Sequence, residues 1–270
     1  MTGEASRREF RRVWLFLGLV FLISWGVGGL YLAFPAPLTA AFGPFAYGSA
    51  AYLLAACSPT LVAVGLTLVF EGPAGLARLG RRLLQATPLW ALALAFLALP
   101  AIALGLSLLA PWFGAWPVRP ADVLVATPLI LFTTAQILTN SGPLGEELGW
   151  RGYALPRLLA RWPPLMAGGM LGVIWTIWHI PALLFSGIVA TPLSDLGWYA
   201  LGTVALSLLM TWLFLRTRGS VLIAGIVPHF VINGLGVVGA WRTRPAEAIA
   251  LTLLAMALFV FWPPNGRKQN

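Results

Sequence analysis

"PLGEELGWRGYALPRLL", residues 143–159, sets Glu146 and Glu147 side by side in a chain that has only eight acidic residues among 270. Arg151 follows four positions after Glu147, one helical turn along the same face. Glu146 lies about 100° further round the helix and points elsewhere. The spacing therefore predicts one glutamate anchored by arginine and one whose carboxylate stays free to work.

Outward from this stretch the chain becomes hydrocarbon. It is 59% hydrophobic and 9% charged, against about 25% charged in soluble domains. Runs of some twenty apolar residues recur, each long enough to cross a bilayer core of about 30 Å as a helix. The expected fold is all-α: a polytopic membrane bundle of about eight transmembrane helices. The spans are expected near 13–34, 47–70, 88–110, 122–141, 165–187, 196–216, 219–240 and 246–262, with the glutamate segment between the fourth and fifth. The first run, Val13 to Phe34, exceeds the ~7–15 apolar residues of a signal peptide and reads as a retained helix. With no linker, repeat or soluble insert in view, residues 1–270 read as one integral-membrane domain with a motif-bearing core at about 122–240.

A net charge of +9 would suggest nucleic acid in a soluble protein, but here the basic residues fall between apolar runs, as topology signals do. Fourteen of them lie on one side: Arg7, Arg8, Arg11, Arg12, Arg78, Arg81, Arg82, Arg151, Arg157, Arg161, Arg216, Arg218, Arg267 and Lys268. Three lie on the other, Arg119, Arg242 and Arg244. With eight spans, this split places both termini in the cytoplasm of a bacterial-type inner membrane. The expected partners are membrane lipid and a peptide or protein substrate, with no nucleic acid. The lone cysteine, Cys57, excludes a disulfide framework and a CxxC metal site.

Six acids, Glu4, Glu9, Glu71, Asp122, Asp195 and Glu247, are assigned to tails and loops, which leaves Glu146 and Glu147 in apolar surroundings. Both histidines of the chain share that setting: His179 in "WTIWH" and His229 in "HFVIN". Ionisable groups at membrane depth cost at least ~2.5–3.5 kcal/mol and mark function by default. The alternative is that they join helices by hydrogen bonding. His229 and Asn233, four apart, present an imidazole and an amide to one point, and both can donate to a developing oxyanion. Trp175 and His179 also share a face, where the indole walls a pocket or simply packs. No HExxH, GxGD or GxSxG pattern occurs, so the zinc, aspartyl and nucleophile-elbow types lack their signatures.

"EELGWR" (146–151), "WTIWH" (175–179) and "HFVIN" (229–233) together resemble the EExxxR, FxxxH and HxxxN motifs of the CAAX-protease and bacteriocin-processing (CPBP, or ABI) family of intramembrane proteases. Trp175 stands where that family usually has phenylalanine. The resemblance implies peptide-bond hydrolysis within the membrane, as in type II CAAX prenyl endopeptidases. Carried over, Glu146 activates water with His179, His229 and Asn233 stabilise the oxyanion, and Glu147, Arg151 and Trp175 support the site. The substrate it implies is a prenylated or membrane-embedded peptide or protein.

Two matters stay open at this level. A metal-free glutamate mechanism is favoured, because asparagine beside His229 is a poor zinc ligand. The alternative is zinc on Glu146, His179 and His229, a His₂Glu set with one position left for water. Rival functions are a non-catalytic scaffold or immunity protein of the same fold and, behind it, a transporter or proton relay.

Overall fold

The computed structural model describes residues 3–83, 85, 87–113, 119–122, 124–125, 142–184, 193–237, 239–241 and 244–264. Every regular element among them is helical. In order they are α1 (Gly3–Ala33), α2 (Pro35–Phe42), α3 (Ala50–Ala56), α4 (Ser58–Arg81) and α5 (Leu89–Phe113). After them come α6 (Pro143–Glu147), a π-helical stretch (Leu148–Ala154), α7 (Leu155–Leu159), α8 (Pro164–Leu184), a 3-10 turn (Leu193–Asp195) and α9 (Leu196–Arg216). A second π-helical stretch (Leu222–Ile226), α10 (Val227–Val237) and α11 (Pro245–Phe261) complete the order.

Stretches within α1, α4, α5, α8 and α9 are long and apolar enough to cross a membrane, and Leu222–Gly236 and Pro245–Phe261 are shorter apolar helices. Large apolar side chains face outward along these helices, among them Leu22, Val69, Leu97, Leu253 and Val260. An outer surface of this kind is a liability in water and fits lipid. The fold is an all-α polytopic membrane bundle.

Helix α9 packs between α8 and α11 and forms the centre. Its contact with α8 depends on two small residues four apart, as in other close membrane helix pairs. A Cβ on Gly168 would come within 2.6 Å of Thr211 Oγ1, and one on Gly172 within 2.7 Å of the Val204 backbone. Across the seam the Ser207 hydroxyl donates to the Gly168 carbonyl at 2.8 Å. Trp150, Tyr153, Trp212 and Phe214 fill the core around it.

The second expected span, 47–70, is displaced. The chain breaks at Cys57 between α3 and α4, and α4 then runs on to Arg81 through a local break at Gly72 (φ +66°) and Pro73. Glu71 thus lies in a helix and not in a loop, and its charge is met there. Arg157 Nη2 from α7 donates to it at 2.6 Å, and Arg78 Nη2 at 2.8 Å. Arg157 Nε also reaches Glu9 of α1 at 2.9 Å, so one guanidinium ties together three helices. Glu247, likewise expected in a loop, is buried as the third residue of α11, where it accepts the Arg244 N–H at 2.7 Å. Most of the fourth expected span, 122–141, lies outside the described residues.

Candidate active site

Two π-helical stretches meet at the glutamates. The first begins directly after Glu147 and the second ends directly before α10, which carries His229. Such stretches widen a helix by one residue per turn and recur at functional sites. Gly149, in the first, lies against α4: a Cβ there would fall 2.4 Å from the Pro59 backbone. Gly225, in the second, leaves room for Glu147, whose Oε2 would lie 2.7 Å from an added Cβ. Close backbone approach thus seats the glutamates among α4, α8 and α10.

Glu147 and Arg151 pair as their spacing predicts, with Nη1 donating to Oε1 at 3.0 Å and both side chains fully buried. The same Oε1 is also 2.7 Å from His229 Nδ1. The carboxylate therefore has two partners, one local and one 82 residues away. It fixes the His229 ring with Nδ1–H donating to Glu147 and Nε2 turned away from it. Arg151 is further held over the Trp175 ring, 4.3 Å from guanidinium carbon to centroid.

Glu146 takes a different partner. Its Oε2 accepts the indole N–H of Trp175 at 2.8 Å, so the expectation of a wholly free carboxylate is corrected to one bonded on one oxygen. It lies on α6, outside the apolar spans, and is 5% exposed. Burial pushes its carboxyl up to about 7, against the opposing pull of His229 and of the Trp175 N–H. This is the range in which a carboxylate serves as a base near neutrality.

Trp175 organises the rest of the site. Its backbone carbonyl accepts from His179 Nδ1 at 2.9 Å. A carbonyl can only accept, so His179 carries its proton on Nδ1 and leaves Nε2 with a bare lone pair. The Trp175 ring packs edge-on to both imidazoles, with centroids at 5.5 Å from His179 and 5.0 Å from His229. Its role thus includes hydrogen bonding as well as packing. Asn233 comes in at the N-terminus of α6, where its amide nitrogen would lie 3.3 Å from a Cβ on Gly142.

All seven residues singled out in the sequence, Glu146, Glu147, Arg151, Trp175, His179, His229 and Asn233, converge in one region. Among the described residues no three His, Cys, Asp or Glu side chains gather as a metal-holding group. Sequence reasoning missed two features. One is the Glu147–His229 bond, which no local spacing signals. The other is the ring of Tyr199, which meets His179 at 6.2 Å.

Residues 126–235 match the family model of the Rce1-like type II CAAX prenyl endopeptidases. The CAAX prenyl protease 2 of Methanococcus maripaludis is 33% identical over 93 residues, which cover 33% of this chain and 34% of that protein. The match thus spans about a third of the length of the curated relative. All seven site residues fall within residues 126–235. Through residues 126–235, the chain is similar to the CAAX protease family.

Proposed function

We propose that this protein is an intramembrane endopeptidase in which Glu146 activates a water molecule. The single observation that carries the reading is the difference between the two glutamates. Glu147 neutralises Arg151 and holds His229, whereas Glu146 is buried with one N–H donor on one oxygen and, among the described residues, no cation in a salt bridge with it. A carboxylate in that condition takes up a proton readily.

In the proposed reaction water attacks the carbonyl carbon of the scissile peptide bond, and its proton passes to Glu146. His179 Nε2, whose lone pair is fixed by the bond at Nδ1, accepts the other hydrogen of that water and aims its oxygen. The carbonyl oxygen becomes an oxyanion and accepts from the Asn233 amide. His229 contributes a second donor when its Nε2 carries a proton. Collapse breaks the C–N bond, and Glu146 returns its proton to the departing amine. The products are a carboxylic acid, which gives up its proton to the amine or to solvent, and an amine, and the site is regenerated.

No step of this reading passes through a metal. The substrate class it favours follows from the relative's name and from the membrane bundle: a peptide at the C-terminus of a prenylated protein, presented from the bilayer. We place the arginine-rich loops and both termini in the cytoplasm, the whole chain as one domain, and the entry of substrate on that side.

The test is direct. The full chain is purified in detergent, reconstituted in liposomes and given a farnesylated CAAX peptide, and the products are read by mass spectrometry. Cleavage by the wild type after exhaustive chelation, and its loss in Glu146→Gln, support the proposal. Activity that disappears with chelation and returns with zinc would overturn its metal-free form. Intact peptide with the wild type, in a protein that still folds, would favour a scaffold in which the polar cluster only joins helices.

A further inference from the structure

Asn233 reaches the site from α10, and the backbone it meets is that of Gly142. Helices α10 and α6 are in contact here, and the Asn233 amide nitrogen lies 3.3 Å from where a Cβ on Gly142 would stand. Gly142 is the residue directly before α6, and its backbone has φ +82° and ψ −118°. Residues with a Cβ rarely adopt that conformation, and Pro143, which follows, narrows the choice further. The carbonyl of the same residue accepts the backbone N–H of Glu146 at 2.9 Å. One glycine is thus bonded to the backbone of Glu146 and lies against the amide of Asn233.

Two demands meet at position 142. The first is conformational, an entry into α6 at positive φ, and it is not special to the site. Gly48 has φ +81° with nothing within 4 Å of an added Cβ. The second is space, and it is particular to Gly142. A Cβ at 3.3 Å is tighter than ordinary van der Waals contact, so the neighbour must give by a few tenths of an ångström. That neighbour is the end of a side chain with two torsions, so Asn233 yields by moving its amide. The Glu146 N–H meanwhile stays tied to the carbonyl of residue 142. A methyl group here therefore changes the placement of donor against base, and misplacement by about 1 Å costs on the order of 100-fold in rate.

We infer that Gly142 is a positioning residue of this site: by presenting no Cβ, it sets where the Asn233 amide stands relative to Glu146. The inference rests on the endopeptidase reading above, with Glu146 as base and Asn233 as oxyanion donor. Gly142 acts through Asn233 and has no side chain to offer water or substrate. Its replacement leaves substrate binding in place and slows the chemical step.

The experiment uses the full chain in liposomes with the farnesylated CAAX peptide. It compares wild type, Gly142→Ala, Gly48→Ala, Asn233→Ala and the double variant of Gly142→Ala with Asn233→Ala. Gly142→Ala is expected to lower kcat about 10-fold, less than for a full ångström of misplacement, with KM within about twofold. Gly48→Ala carries a like positive φ with no neighbour at its Cβ and is expected to keep the wild-type kcat, whatever it loses in melting temperature. Asn233→Ala is expected to cost on the order of 100-fold. Adding Gly142→Ala to it should then cost less than about twofold, because the group acted through is gone. An equal loss from Gly142→Ala with and without Asn233 would overturn the inference and leave the endopeptidase reading intact. Should Gly142→Ala fail to fold, Asn233→Gln tests the same contact from the other side, pressing a longer amide against an unaltered glycine. A loss of about 10-fold in kcat is expected there as well, and wild-type kcat would overturn the inference. No cleavage by the folded wild type would remove the endopeptidase reading and this inference with it.

Discussion

Glu147 Oε1 is shared between Arg151 Nη1 at 3.0 Å and His229 Nδ1 at 2.7 Å, with all three side chains buried. One oxygen thus joins a local salt bridge to a contact between distant helices. Among the described residues the second oxygen, Oε2, has no partner within hydrogen-bonding distance, and Gly225 leaves it the room it occupies. Removing the carboxylate strands a buried guanidinium and frees an imidazole at once.

Glu147→Ala is accordingly expected to destabilise the protein by about 3–5 kcal/mol, as when one partner of a buried pair is deleted. Glu147→Gln keeps the volume but offers no charge to hold His229. It should retain more stability and still lose activity by about 100-fold or more, as when an orienting carboxylate is neutralised. Thermal unfolding in detergent and cleavage rate, measured on the same preparations, check both. Equal stability and activity in all three proteins would contradict the shared-oxygen account.

Trp175→Phe separates the ring from its N–H. The ring contacts with His179 and His229 are largely kept, and Glu146 loses its hydrogen-bond donor. That donor pulls the Glu146 carboxyl down from where burial would otherwise put it, and the net position is about 7. A base works when deprotonated, so wild-type kcat/KM should rise with pH through about 7. In Trp175→Phe the rising limb should move to higher pH, because the group that favours the charged form is gone. The pH–rate profile of each protein checks the sign, and a shift to lower pH would rule the assignment out.

Gly149→Ala tests how the site is seated on α4. The added methyl would lie 2.4 Å from the Pro59 backbone, which has no flexible side-chain end to yield. Overpacking of this kind costs about 1–3 kcal/mol, and the displaced segment carries both glutamates. A lower melting temperature with reduced cleavage is expected. Gly169→Ala, where an added Cβ meets nothing within 4 Å, is the control and should match the wild type.

Arg157→Met removes the guanidinium that links Glu9 of α1 and Glu71 of α4 to α7. These groups are partly exposed, so the expected loss lies between surface and buried pairs, about 1–2 kcal/mol. The same loss should appear in Glu71→Gln if the pair is the cause, and the double variant should lose less than the two singles added.

The parts legible in the sequence were those set by local periodicity and length. The helices expected at 88–110, 165–187 and 196–216 correspond to Leu89–Phe113, Pro164–Leu184 and Leu196–Arg216, because an apolar run long enough to cross a bilayer has few other structures open to it. Glu147 and Arg151 were read as a pair because residues four apart on a helix are neighbours. The second span slipped because Glu71 and Arg78 look like a loop when taken singly. Arg157 from another helix is what lets Glu71 remain in α4. The same limit hid the Glu147–His229 bond and Tyr199, since side chains 82 residues apart, or on a helix without a motif, meet only through tertiary packing. The π-helical stretches left no periodic signal either, being one turn long.

The measurement that reaches the central claim most directly is a comparison of protein termini, by mass spectrometry, in membranes of cells producing wild type or Glu146→Ala at matched levels. It assumes nothing about substrate. New termini that depend on the wild type and vanish with Glu146→Ala are the predicted result, and their sequences identify the substrates. Identical termini in the two membranes, with a phenotype rescued equally by both forms, would contradict an endopeptidase and leave a scaffold in its place.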